Sequence, residues 1–303
     1  MRVFVTGASG FIGSAVVSEL IGAGHQAVGL ARSDDSAAAL ALAGAEVHRG
    51  ALDDLDSLRA GAAASDGVIH LAFIHDFSDY ERAAHTDLRA IETLGAALEG
   101  SDRPLVIASG LLGLAAGRAA TEQDAPDPSS AGPRVAGARA ALSLASRGVR
   151  SSIVRLAASV HGENDHGFVP TLIQIARDRG VSGYIGDGSN RWPAVHRLDA
   201  APLFRLALER APAGSVLHGV ADEGVPVRDI AEVIGRHLDL PVVAVAPEDA
   251  GEHFGWLAAF LAADLPASSV LTQQWMGWNP VHPGLIADLE EGHYFRSARR
   301  AAA

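Results

Sequence analysis

From Arg2 to Arg155 short, mostly apolar runs alternate with longer alanine-rich stretches, and this rhythm restricts the fold more than any other feature of the chain. The runs lie at Val3–Thr6, Ala27–Ala31, Glu46–His48, Val68–Leu71, Leu105–Ala108 and Ser152–Leu156, each followed by a turn or a helix start. Helices are predicted between them at Phe11–Ala23, Ser36–Ala43, Leu55–Ala62, Ser78–Leu98 and Val135–Ser146, with Gly24, Gly44 and Gly148 where C-caps belong. Strands separated in this way by helices predict an α/β fold built on a doubly wound parallel sheet. Gly117–Pro133, rich in proline, serine and acidic residues, reads as a loop. After Val160 the rhythm is lost, and isolated helices are expected near Val169–Arg179, Ala200–Arg210, Val227–Leu238 and Ser268–Met276. The expected division is therefore a sheet domain over 1–158 and a smaller α/β substrate domain over 159–303, with some later segments free to return to the sheet.

The first strand runs directly into Gly7-Ala8-Ser9-Gly10-Phe11-Ile12-Gly13, which opens the first helix. Glycine suits a turn where φ is positive or where backbone must approach a phosphate, and the free N–H groups of the helix start attract anions. Gly7, Ser9, Gly10, Phe11, Ile12 and Gly13 are thus read as a dinucleotide pyrophosphate loop. At the end of the second strand, where a carboxylate would accept hydrogen bonds from the ribose of NAD, the chain has Ala31-Arg32-Ser33. The guanidinium of Arg32 and the hydroxyl of Ser33 suit a 2′-phosphate, so NADP is expected as the cofactor, with NAD as the alternative.

Composition narrows the chemistry. With 24 basic against 36 acidic residues the net charge is −12, which repels nucleic acid and anionic membranes. No run reaches membrane-spanning length, and the apolar segment starting at Val3 is broken at once by Gly7 and so does not read as a targeting signal, so a cytoplasmic protein is expected. Cysteine is absent, and all the basic residues are arginine: thiolate chemistry, Schiff bases and a lysine-containing phosphate loop are excluded.

The run Val3–Gly13, then Gly50-Ala51-Leu52-Asp53, Val68-Ile69-His70-Leu71-Ala72, Trp192–Asp199 and the closing Met276-Gly277-Trp278-Asn279-Pro280 together resemble an extended or atypical short-chain dehydrogenase/reductase of the epimerase/dehydratase superfamily. The resemblance implies a Rossmann domain with a C-terminal substrate domain, Leu52 and Asp53 beside adenine, and Leu71, Ala72 and Phe73 lining the nicotinamide side. The chain departs from the family at Ala51, where an aspartate is usual before the leucine. It departs further at the catalytic motif: the resemblance implies a Tyr-x-x-x-Lys, but the matching stretch is Pro133-Arg134-Val135-Ala136-Gly137-Ala138-Arg139. One register sets Arg134 at the tyrosine and Ala138 at the lysine, and the other sets Val135 and Arg139 there.

Arginine is too weak an acid to give up a proton, yet it is a good fixed charge for a developing alkoxide or for the cofactor, and Arg134 or Arg139 is assigned that role. The proton donor is left open among Ser109 after the fifth strand, His75 (with Asp76) after the fourth, and His161 after the sixth, with Tyr184 as a residue the second domain could supply. His161, Glu163, Asp165 and His166 lack the spacing of a metal site, and no metal is expected. His196 and Asp199 read as structural, with Asp199 capping the helix that follows, and Phe254, Trp256 and Phe260 read as core. The expected function is NADP-dependent hydride transfer to a carbonyl or imine carbon of a small organic substrate. The rivals are a non-catalytic NADPH sensor and a sugar-type epimerase or dehydratase. The resemblance also implies a homodimer through helices Ser78–Leu98 and Val135–Ser146.

Overall fold

The computed structural model describes residues 1–75, 79–127 and 134–296. Its strands are β1 (Arg2–Thr6), β2 (Gln26–Ala31), β3 (Glu46–Arg49), β4 (Gly67–His70), β5 (Pro104–Ser109), β6 (Arg150–Leu156), β7 (Ser159–His161), β8 (Ser182–Ile185), β9 (Arg191–His196), β10 (Ser215–Gly219), β11 (Asp222–Pro226) and β12 (Val242–Val245). Seven of them form one sheet in the order β10-β6-β5-β4-β1-β2-β3, and every pairing in it is parallel. The helices of this lobe are α1 (Phe11–Gly22), α2 (Asp34–Leu42), α3 (Leu55–Ala63), α4 (Tyr80–Leu98) and α5 (Val135–Ser143). The predicted start of α4 at Ser78, like Asp76 and the loop residues 128–133, lies outside the described residues.

Strand periodicity sorts β1 between two cores. Val3 and Val5 are buried with Val16, Val17 and Leu20 of α1, while Phe4 is buried with Leu58 of α3 and Ile91 and Leu94 of α4. Both faces of the sheet are therefore covered, as a parallel sheet requires.

The second lobe holds α6 (Phe168–Arg179) and α8 (Val227–Leu238), separated in the chain by α7 (Arg197–Arg210). A three-stranded sheet, β11-β9-β7, and the pair β12-β8 complete it. Val169, Leu172, Ile173 and Ala176 recur at helical spacing on α6 and pack with Trp192 of β9 and with Ile230, Val233 and Ile234 of α8. The segment from α7 to β10 does not stay in this lobe. Leu203, Phe204 and Ala207 of α7 enter the core that covers Val3 and Val5, and β10 adds to the large sheet beside β6. The second lobe is thus drawn from residues 159–196 and 221–296, with the return passage between them, and the stretch Ala267–Trp278 also turns back onto α7 and β10. Among the described residues no helix is long and apolar enough to cross a membrane.

Candidate active site

The order of strands reverses direction at β1, between β2 and β4, so the ligand crevice of such a sheet opens beyond the C-terminal ends of β1 and β4. Gly7 follows β1 with φ +67°, and a Cβ there would stand 2.7 Å from the amide nitrogen of Ala72. At Gly13 a Cβ would stand 1.9 Å from the carbonyl oxygen of Gly7, so both positions exclude any side chain. Helix α1 starts with Gly10 as its N-cap, no capping side chain and no acid in its first turn. By contrast α2, α3 and α4 are capped by Ser33, Asp54 and Asp79. The first N–H groups of α1, beside exposed Ser9 and partly buried Phe11 and Ile12, are thereby left for an anion, and the tight glycine cradle fits a dinucleotide pyrophosphate.

At the adenosine end, Arg32 is exposed and has no ion-pair partner among the described residues. Ser33 is committed elsewhere: its hydroxyl accepts from the Ser36 amide and also bonds the Ser36 hydroxyl, because the residue that ends the β2 turn is also the N-cap of α2. Asp34 is paired with Arg49 at 2.6 Å, which reduces its opposition to an anion near Arg32. Leu52 packs against the core containing Phe4. Asp53 is exposed.

At the other end, the tips of β1 and β4 are tied by a buried chain of hydrogen bonds. Thr6 Oγ1 lies 2.8 Å from His70 Nδ1, His70 Nε2 lies 3.1 Å from Asp87 Oδ1, and the Ala72 amide donates to Thr6 Oγ1 at 3.2 Å. The Nε2 edge of the ring faces the Asp87 carboxylate and the Nδ1 edge faces the Thr6 hydroxyl, with roles set by the tautomer. This fixes Leu71 and Ala72 against the glycine loop and sends Phe73 across the mouth of the crevice.

On the Phe73 ring sits the guanidinium of Arg134, 4.1 Å from the ring centroid. Its Nη2 reaches the Ala108 carbonyl at 3.4 Å, beside Ser109 at the tip of β5. Its Nε is buried with no partner. The rings of His75 and Tyr80 meet Phe73 edge-on at 5.4 and 5.8 Å. Partial burial and the charges of Arg134 and His166 lower the His75 imidazole below its ordinary value. Burial raises the Tyr80 phenol, and the charge of Arg134 opposes that rise. Of the two arginines proposed from sequence, Arg134 faces this cluster while Arg139 is exposed on α5 beside buried Ala138. Pro133, the reference for the two registers, lies outside the described residues.

Opposite, Arg197 lies over the Phe11 ring at 5.1 Å, donates to the Phe11 carbonyl at 3.4 Å and keeps a buried, unpartnered Nε. His166 meets the other side of the crevice through Phe11, at 5.8 Å. Tyr80 and Arg197 are site residues that sequence reasoning missed. The available signal was positional: Tyr80 opens the helix after the fourth strand, and Arg197 follows the Trp192–His196 strand.

His161, proposed as a proton donor, is fully buried in the second lobe, with Nδ1 on Asp288 at 2.8 Å and its ring edge-on to His196 at 5.3 Å. Asp165 is bound by the Tyr294 hydroxyl and the Gly167 amide. Asp199 does not cap α7. His196 does so, its Nδ1 accepting from the Leu198 amide, because burial and the neighbouring His161 hold this ring neutral, with its pKa pushed down to about 4. The Asp199 carboxylate instead accepts from the amides of Val281 and His282 and from the His282 ring, and its carbonyl takes the Trp278 indole N–H. It is a tie between α7 and the closing Trp278–Pro280 stretch.

Similar proteins agree with this architecture. An uncharacterized protein of Schizosaccharomyces pombe is 52% identical over 97% of this chain and 100% of its own length. A 4-hydroxy-2-methyl-3-oxo-4-farnesyl-3,4-dihydroquinoline-1-oxide ketoreductase of Stigmatella aurantiaca is 27% identical over 88% of this chain and 84% of its own. The solved structure of a dTDP-glucose 4,6-dehydratase double mutant from Streptomyces venezuelae, with NAD and DAU bound, has the same fold, with a TM-score of 0.78 at 20% identity over 99% of this chain and 98% of that one. The model of one family matches residues 3–218, covering the glycine loop, the strand tips and the return through α7 and β10. With its sheet order and cradle, the chain belongs to the NAD dependent epimerase/dehydratase family.

Proposed function

We propose that this protein is an NADPH-dependent reductase that transfers hydride to a carbonyl or imine carbon of a small organic substrate. The observation that carries the reading is Arg134: a guanidinium with no carboxylate partner among the described residues, set on Phe73 at the tips of β4 and β5. A fixed positive charge there opposes the negative charge that develops on a carbonyl oxygen as its carbon is reduced. When bound, the nicotinamide supplies the hydride. The glycine cradle and the uncapped start of α1 would hold the pyrophosphate, and Arg32 would hold the 2′-phosphate that distinguishes NADPH from NADH. The ketoreductase relative is named for a reaction of the class proposed here.

The test is loss of nicotinamide absorbance with NADPH, and in parallel NADH, against a panel of ketones, aldehydes and cyclic imines, with cofactor binding measured on the same preparation. Turnover with NADPH is expected. Tight binding of NADPH without turnover across the panel would replace the reductase reading by a sensor that reads the cofactor.

A further inference from the structure

We propose that the Tyr80 hydroxyl is the proton donor of this site, supplied by the first turn of α4 and held beside the Arg134 guanidinium that enters at the start of α5. The proposal rests on the reductase reading above and adds the acid that reading needs. Both groups reach the crevice through one ring: Tyr80 meets the edge of Phe73 at 5.8 Å, and Arg134 covers its face at 4.1 Å. Phe73 directly follows Leu71 and Ala72, which press on Gly7, so the pair is carried to the tips of β4 and β5. Arg134 is not neutralised by a carboxylate among the described residues, and its charge acts on Tyr80. Burial raises the phenol, the guanidinium favours the phenolate that donation leaves, and the more weakly acting Asp87 carboxylate opposes it.

The competing donors are engaged differently. Partial burial and the charges of Arg134 and His166 lower the His75 imidazole, which disfavours the protonated form a donor needs. Tyr184 and Tyr294 lie in the second lobe, beside Arg228 and Asp165 respectively. In the step itself, hydride forms the new C–H bond and the C=O π pair moves onto oxygen. That oxygen takes the proton as the Tyr80 O–H bond breaks. The two electrons come from the reduced nicotinamide, which is oxidised, and water reprotonates the phenolate.

Tyr80→Phe removes only the oxygen. With a carbonyl compound that the wild-type chain reduces, this variant should bind NADPH within about twofold of wild type while kcat falls roughly 10²–10⁴-fold. The decline of the wild-type rate at high pH, where the phenol ionises, should vanish from the residual activity, and Tyr184→Phe should behave as wild type. A second measurement needs no substrate. Phenolate absorbance, taken as wild type minus Tyr80→Phe, is titrated with and without NADP+, whose positive ring should lower the Tyr80 ionisation by about one pH unit or more. Retention of more than about a third of wild-type kcat in Tyr80→Phe overturns the proposal and leaves the reductase reading standing. Absence of wild-type turnover on every carbonyl removes the reductase reading and the donor role with it. A Tyr80 titration unmoved by NADP+ overturns the placement of Tyr80 in either case.

Discussion

The sheet lobe and the second lobe place their polar residues differently. In the sheet lobe packing is done mainly by Val, Leu, Ile and Ala, the buried Thr6–His70–Asp87 chain ties two strand tips, and the other polar groups of the crevice hang on strand tips and helix starts. In the second lobe and its return passage, buried His161, His196, Asp199, His218 and Asp288 are themselves the joints. His75 lies in a crevice, whereas His161 is a bolt. A histidine just past a parallel strand therefore says little about chemistry until its partners are known.

That contrast can be broken most forcefully at the glycine loop. Gly13→Ala would drive a methyl group into backbone, 1.9 Å from the Gly7 carbonyl oxygen, and cofactor affinity measured by fluorescence titration should fall by at least about 100-fold. In the second lobe the expected loss is of stability. Asp199→Ala leaves the amides of Val281 and His282 without their acceptor and should cost about 3 kcal/mol in urea unfolding, with the cofactor affinity of the folded protein unchanged.

The joints should also make stability depend on pH. His196 and His218 have folded-state values pushed down to about 4, mainly by burial, from an ordinary 6.5. Below 6.5 the unfolded chain binds protons that the folded chain refuses. Their contribution is thus fully present above about pH 6.5 and is lost as the pH falls toward 4, with a limiting slope of about 1.4 kcal/mol per pH unit for each ring. A flat unfolding profile over that window would mean that these rings are not buried in neutral form. The smallest effect is at the surface. Arg32→Ala should lower the preference for NADPH over NADH by about tenfold and leave NADH affinity unchanged, as read by paired titrations.

Much of the sheet lobe was legible because buried parallel strands leave uninterrupted apolar runs and their helices leave alanine-rich intervals. The strands from β1 to β6 lie within a residue or two of their expected positions. Strand β10 was not legible: it is a five-residue segment in which buried Leu217 is followed by buried His218 and Gly219, and a polar core residue and a glycine erase the pattern that marks a strand. At the site, the glycine loop was legible because its constraint is local. The Phe73 cluster was not, since Tyr80 and Arg134 start different helices and meet only across a third side chain. Asp199 was read as the cap of α7 and is not, because a small polar residue near a helix start can cap or tie and only its partners tell which.

The passage of α7 and β10 back into the large sheet has a consequence for how the molecule comes apart. A chain ending near residue 158 would lose the helix that covers Val3, Val5 and α1, and would leave the outer edge of β6 bare, a template for aggregation. The second lobe alone would be two pieces, 159–196 and 221–296, with no chain connecting them. The lobes should therefore melt in one cooperative transition. A new specificity must accordingly arise by changes within the interleaved chain, because the substrate lobe cannot be exchanged as a block.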